Sequence, residues 1–261
     1  MLTQIEKHYT KIALDAGPPA ARITLSNPPV NIIDVRMMEE LLDAIEQLDR
    51  RADISFFIIS GSQRVFSAGV DIAAHRPGQV RDMLAKFHSV IRALAATNKI
   101  TIAAVRGACM GGGAELALVC DMIFCTENST WQFPEINLAC FPPVAAVALS
   151  DVIGTKRAAE LVLTGQVIHG DEALHIGLAN DSVPDRDLDD LVNEVGERLA
   201  ALSPAALALA KKAFYRWDAR EFDQRLRRAE SVYLDELIKT EDALEGVNAF
   251  LEKRKPKWKG K

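Results

Sequence analysis

The sequence of 261 residues lacks most of the marks of specialised environments. Its four cysteines, Cys109, Cys120, Cys125 and Cys140, form no CxxC pair and sit in apolar stretches. Scattered thiols of this kind argue against a disulfide framework or a zinc site and read as buried, reduced and cytoplasmic. The five histidines show no HExxH or similar spacing, so no metal site is expected. The longest apolar stretch, Cys140 to Leu149, is ten residues with two prolines, too short to cross a bilayer. The opening MLTQIEKHYTKIALD is charged and has no continuous apolar core, which reads against a secretory signal. Base is not in excess either: 31 Lys and Arg stand against 36 Asp and Glu, a net charge of −5. A non-specific nucleic-acid binder shows the opposite balance, and no basic stripe with interleaved aromatics is present. Neither nucleic acid nor membrane is therefore an expected partner.

What is present describes a globular enzyme-sized domain. Apolar residues make up 49% and charged residues 26%, enough to build one large core. Charge is unevenly spread. Lys253 to Lys261 hold six cations and no acid, which leaves the rest of the chain at −11.

The first half alternates strand and helix patterns, the signature of an α/β protein. Strands are expected at 21–26, 54–60, 100–105 and 122–125. Helices are expected from Asp34 as cap, over 79–96 and over 112–120. Beyond Pro142 the chain reads as almost wholly helical: 144–153, 156–163, 171–176, 187–201, 204–217 and 222–251, with one short strand near 180–183. No fixed-period repeat is evident.

Three short segments carry chemistry. Phe66 to Ile72 (FSAGVDI) places a glycine among small residues, where backbone N–H groups can approach a ligand. Taken alone it is also an ordinary turn. Gly111-Gly112-Gly113 lies between a strand and a helix, whose first N–H groups have no intrahelical partner and suit a developing oxyanion. The spacing matches neither GxGxxG nor GxxxxGK[ST]. Glu115 follows in the first helical turn, where a helix dipole alone would justify it. Glu135 follows Pro134 among apolar residues; desolvation there raises a carboxyl pKa and suits proton transfer, although a solvated loop glutamate reads the same way.

The order and spacing of FSAGVDI (66–72), GGGAEL (111–116) and Pro134-Glu135 resemble the enoyl-CoA hydratase/isomerase (crotonase) superfamily. The turn SNPPVN, the stretch LTGQVIHGDEALHIGLAN and the tail EGVNAFLEKRKPKW extend the likeness over nearly the whole chain. The resemblance implies an α/β spiral of repeated ββα units over 1–199, with a C-terminal helical extension at 200–261 used for oligomerisation into a homotrimer or homohexamer. It implies an oxyanion hole from the backbone N–H groups of Val70 and Gly112, and catalysis by Glu115 and Glu135. It places Ala68, Asp71, Ile72, Phe250 and Lys253 at the coenzyme A moiety of an acyl-CoA substrate, with no separate cofactor. Both glutamates present points to a hydratase; an isomerase, a hydrolase and a non-catalytic RNA-binding relative fit less well.

Two departures stand out. No glycine occurs in Cys140 to Ala146, where Pro143 removes a backbone N–H, and Ala73 stands where the family often has lysine. FPPVAA (141–146), His75-Arg76-Pro77 with MLAKFHSVIRAL (83–94), and 233–258 look like the cyclohexa-1,5-diene-1-carbonyl-CoA hydratases. These put a hydroxyl on the carbon β to the thioester and a proton at the far end of the diene. A flat ring needs apolar walls, for which Met83, Leu84, Phe87, Trp131, Phe141 and Pro142 are the candidates.

Overall fold

Two runs, FFIIS and ITIAAV, are buried at every position and set the centre of the fold. A computed structural model shows them as neighbouring parallel strands; it describes residues 9–214 and 219–261. In chain order the elements begin with β1 (Ile12–Gly17), β2 (Ala20–Leu25), α1 (Val35–Arg50), β3 (Phe56–Ser60), β4 (Val65–Ser67) and α2 (Val80–Ala96). There follow β5 (Ile100–Val105), β6 (Ala108–Met110), α3 (Gly112–Leu118), β7 (Met122–Thr126), β8 (Thr130–Gln132) and α4 (Pro143–Ile153). The remainder is α5 (Thr155–Thr164), β9 (Ile168–His169), α6 (Gly170–His175), β10 (Asp181–Val183), α7 (Leu188–Ala200), α8 (Pro204–Phe214), α9 (Ala219–Ser231) and α10 (Glu241–Leu251).

The strands form two sheets. The larger has the order β1-β2-β3-β5-β7-β10, antiparallel at β1–β2 and parallel elsewhere. The smaller has the order β4-β6-β8-β9. Successive units contribute one strand to each sheet and then a helix: β3-β4-α2, then β5-β6-α3. This is the expected ββα repeat, hidden from sequence comparison because the units differ in length. Side chains alternate along β3 and β5. Phe57, Ile59, Ala103 and Val105 enter the main core, while Phe56, Ile58, Ile100, Ile102 and Ala104 pack against Leu188, Val192 and Val195 of α7.

Several expectations need correction. β1 was not foreseen, and FSAGVDI begins as a strand rather than a turn. The helix after the glycines ends at Leu118 instead of 120. Glu135 lies in a 3-10 turn, Pro134–Leu138, and not in an open loop. The expected single helix over 222–251 is broken. After α9 the chain widens into a π-helical turn, Val232–Glu236, tightens into a 3-10 turn, Leu237–Lys239, and restarts at Thr240. Thr240 accepts a hydrogen bond from the Ala243 N–H, and Glu241 and Asp242 occupy the first turn, the charge pattern a helix start favours. Expectations for 215–217 and for the opening eight residues lie outside the described residues.

The C-terminal helices are not detached from the core. α9 packs against α4 and α2, and α10 packs against both the Pro134–Leu138 turn and a 3-10 turn at Ile72–His75. Phe222, Leu226 and Tyr233 belong to the main core.

Candidate active site

The parallel strands β4 and β6 end side by side, and each runs into a turn containing glycine. Ligands bind in such crevices, beyond the carboxyl ends of parallel strands. Gly69 has φ +97, and a Cβ there would lie 2.9 Å from the Met110 carbonyl and 3.5 Å from the Gly112 nitrogen. The two turns therefore touch through their backbones. Ile33 N–H donates to the Gly69 carbonyl at 2.9 Å and pairs with Val70, which fixes the orientation of the 69–70 peptide. Among the described residues neither the Val70 nor the Gly112 N–H donates a hydrogen bond. Two free donors on adjacent turns are what an oxyanion hole requires.

Behind this turn stand residues that the motif reading passed over. Ser67 Oγ donates to the Asn31 carbonyl at 2.7 Å and accepts from the Gly69 N–H at 3.0 Å. Asn31, buried and left-handed at φ +50, donates from Nδ2 to the Val65 and Phe66 carbonyls. That gives the final asparagine of SNPPVN a function: it ties the entry turn to β4. A buried asparagine in a turn was the available signal.

Glu115 is 3% exposed and rooted in the first turn of α3. Its Oε1 accepts from the Val144 N–H at 2.8 Å and the Ala145 N–H at 3.0 Å. These are free N–H groups of the first turn of α4, so Glu115 caps that helix from a distance. Pro143 takes the first helical position, where its missing N–H costs nothing, and leaves the next two donors for the carboxylate. The proline that seemed to remove a substrate contact thus belongs to a turn that holds a catalytic candidate. Burial raises the Glu115 pKa from 4.5 to about 7, against the two backbone donors, which lower it.

Glu135 arrives from the opposite side. Gly111 has φ +50, and a Cβ there would sit 2.6 Å from Glu135 Oε1, so the carboxyl group lies over the glycine turn. Its Oε2 is buried without a partner. Burial, and then the charge of nearby Glu115, raise its pKa from 4.5 to about 8. Burial thus pushes both carboxyl groups toward the protonated form, and the charge of Glu115 adds to this at Glu135.

The remaining candidates divide. Val70 Cγ2 and Phe87 Cζ would lie 2.6 and 3.2 Å from a Cβ on Gly112, so both side chains wall the turn. Met83 and Leu84 precede Phe87 on α2 and are buried in the core. Phe141 is half-buried and packs edge-on to Tyr233, with ring centroids 5.2 Å apart. Pro142 caps α4. Trp131 packs in the core, its indole N–H donating to Ser129 Oγ at 3.1 Å. On its strand Trp131 lies between buried Cys109 and Ile168. Asp71 caps its own turn by accepting from the Ala73 N–H at 3.0 Å, and the Ala68 N–H is spent on the Val30 carbonyl. Ile72 is half-buried beside them.

The tail reads differently in three dimensions. α10 lies on the turn carrying Ile72 and on the turn carrying Glu135, which puts Phe250 at the end of a helix flanking the site and Lys253 in the turn that follows it. Phe250 is 52% exposed. Half of the cationic run is paired at home: Arg254 pairs with Glu245 and Glu252, and Lys259 and Lys261 pair with Glu241. Lys253 forms no such pair among the described residues. A cavity of about 670 Å³ lies elsewhere, between α4, α9 and the end of α3, and is lined by neither glutamate.

Comparison with known proteins agrees with this geometry. The model of the enoyl-CoA hydratase/isomerase family matches residues 19–261. A probable enoyl-CoA hydratase from Bacillus subtilis is 33% identical over 95% of this chain and 98% of that protein. The cyclohexa-1,5-dienecarbonyl-CoA hydratase of Thauera aromatica is 30% identical over 96% of this chain and 97% of its own. Among solved structures, a carnitinyl-CoA hydratase from Mycobacterium avium matches with a TM-score of 0.87 at 29% identity, covering 96% of this chain and 99% of the other.

Proposed function

This chain belongs to the enoyl-CoA hydratase/isomerase family, and from that premise we propose that it adds water to a conjugated cyclic dienoyl thioester, cyclohexa-1,5-diene-1-carbonyl-CoA. The coarser activity, an enoyl-CoA hydro-lyase, is common to the family and to the relatives above. The observation that carries the reading is the convergence of two buried carboxyl groups on a glycine turn whose N–H is free. An isomerase needs only one proton-transfer group; a pair suits the delivery of both parts of water.

The chemistry follows from the environments. The thioester carbonyl accepts from the Val70 and Gly112 N–H groups, which stabilise the enolate oxygen as charge develops. Donors of this kind are each worth roughly 2.7–4 kcal/mol to such a barrier. Glu115, ionised more readily because α4 supports its charge, takes a proton from water as the water oxygen bonds to the carbon β to the thioester. Glu135, which holds its proton to higher pH, gives it to the far carbon of the diene. The proton on Glu115 then returns to Glu135, and the site is restored with one water consumed.

Phe87, Phe141 and Pro142 supply apolar surface for a flat ring, and the relative from Thauera aromatica supports that acyl group. Phe250 and Lys253, on the flank of the site, are assigned to the coenzyme A moiety. No resident cofactor is called for, since coenzyme A enters and leaves with the substrate. A trimer or hexamer in the cytoplasm completes the proposal; the four buried, unpaired cysteines fit a reducing compartment.

A general 2-enoyl-CoA hydratase is the second reading, favoured by the slightly higher identity to the Bacillus subtilis relative. Rates with the cyclic dienoyl-CoA and with crotonyl-CoA separate the two. Faster turnover of the cyclic substrate is expected; a strong preference for crotonyl-CoA overturns the assignment.

A further inference from the structure

The turns that carry the Val70 and Gly112 N–H groups both touch one side chain, that of Ser67 at the end of β4, which is 0% exposed. On the first turn the contact is a hydrogen bond: Ser67 Oγ accepts from the Gly69 N–H at 3.0 Å. Ile33 holds the other side of the same residue, donating to the Gly69 carbonyl at 2.9 Å. Gly69 is thus gripped at its N–H and at its carbonyl, and the direction of the next N–H, that of Val70, follows. On the second turn the contact is steric. A Cβ on Gly113 would lie 2.7 Å from Ser67 Cβ, 2.9 Å from its Oγ and 3.0 Å from its carbonyl oxygen. The first turn of α3 therefore rests on Ser67 with no room for a methyl group.

The hydroxyl is itself fixed. It donates to the Asn31 carbonyl at 2.7 Å, and Asn31 Nδ2 donates to the Val65 and Phe66 carbonyls at 3.2 and 3.1 Å. With its one proton spent on Asn31, the oxygen presents only lone pairs to Gly69. The close seat of α3 explains a small residue at position 67. It does not explain a hydroxyl, which is costly to bury unless it is paired. Both of its bonds go to backbone, and one of them is in the turn that aims Val70.

We infer that Ser67 is a positioning residue that sets the spacing of the two oxyanion donors, its hydroxyl orienting the turn that bears Val70 while its side chain seats the helix start that bears Gly112. This rests on the reading of those two N–H groups as the oxyanion hole. Such donors act within about 2.7–3.1 Å of the developing oxyanion, so a small relaxation of either turn is felt. Loss of the hydroxyl strands the Gly69 N–H and the Asn31 carbonyl, and each regains a partner only by moving.

The test uses the full-length protein and butanoyl-CoA labelled with carbon-13 at the thioester carbonyl, a saturated thioester that cannot be hydrated. Isotope-edited infrared difference spectroscopy reads the carbonyl stretch, which falls as donors polarise the bond. The native protein is expected to lower it below its value in the free thioester. Ser67→Ala is expected to lose most of that lowering. Its kcat with an enoyl-CoA is expected to fall about tenfold or more at little changed KM, because the donors act more on the transition state than on bound substrate. Ser67→Cys separates bonding from packing. A thiol fills the place of the hydroxyl but bonds weakly, so the cysteine variant is expected to resemble Ser67→Ala; a role in packing alone makes it resemble the native protein. The full lowering in either variant, folded by circular dichroism, overturns the inference, and Ser67→Cys decides alone if Ser67→Ala does not fold. A native protein that leaves the stretch at its free value, bound or not, removes the oxyanion hole and this role with it. A protein that hydrates no enoyl thioester yet shows these changes in the stretch loses the proposed function and keeps this assignment. A hydratase whose variants keep the full lowering does the reverse.

Discussion

Glu115 and Glu135 are the same residue type, one buried and the other half-buried with its Oε2 enclosed, yet the fold holds them differently. Glu115 is rooted in a helix and receives two N–H donors from the first turn of another helix at 2.8 and 3.0 Å. Glu135 stands on a 3-10 turn, and its Oε2 has no partner. Burial penalises a negative charge on both, but at Glu115 two backbone donors offset part of the penalty, while at Glu135 the charge of Glu115 adds to it. Unequal surroundings divide acid from base between two identical side chains, as happens wherever paired carboxyl groups must do different work.

The comparison breaks most visibly at the side chains themselves. Glu115→Gln and Glu135→Gln are each expected to lower turnover by on the order of 10²–10⁴-fold, with native circular dichroism retained. A smaller effect separates the two positions. In Gly111→Ala the new Cβ meets Glu135 Oε1 at 2.6 Å, on a backbone of φ +50 that L side chains rarely adopt. That variant is expected to lose roughly 1–3 kcal/mol in urea unfolding, and turnover at least about tenfold, by moving Glu135 while leaving Glu115 on its helix.

The smallest effect is on stability. The Glu135 pKa is raised by folding, so between about 4.5 and about 8 the native state holds a proton that the unfolded chain has released. Stability from this group is complete below pH 4.5 and is lost as pH rises toward 8. Glu135→Gln, neutral throughout, is expected to flatten that decline in thermal melts between pH 5 and pH 8. An equal decline in the variant would place the charge penalty elsewhere.

Much of this was legible before any coordinates. The buried strands and Asp34 as a helix cap fell where expected because each depends on local chemistry: unbroken apolar runs and a capping carboxylate. What escaped depends on distance along the chain. The small sheet is built from strands of two or three residues, too short for an alternating pattern to register. Tyr233 meets Cys140 and Phe141 from nearly a hundred positions away. The cationic tail looked free because its carboxylate partners, Glu241 and Glu245, sit one helix earlier and meet it only once the chain folds back. The break at Thr240 left a signal, Thr-Glu-Asp-Ala, that the longer helical periodicity masked.

The most direct measurement is product analysis by mass spectrometry after incubating cyclohexa-1,5-diene-1-carbonyl-CoA and crotonyl-CoA with the native protein, Glu115→Gln and Glu135→Gln. The account predicts a product heavier by one water from the native protein and its near-absence from both variants. No water addition to either thioester, or undiminished addition by Glu135→Gln, would contradict it.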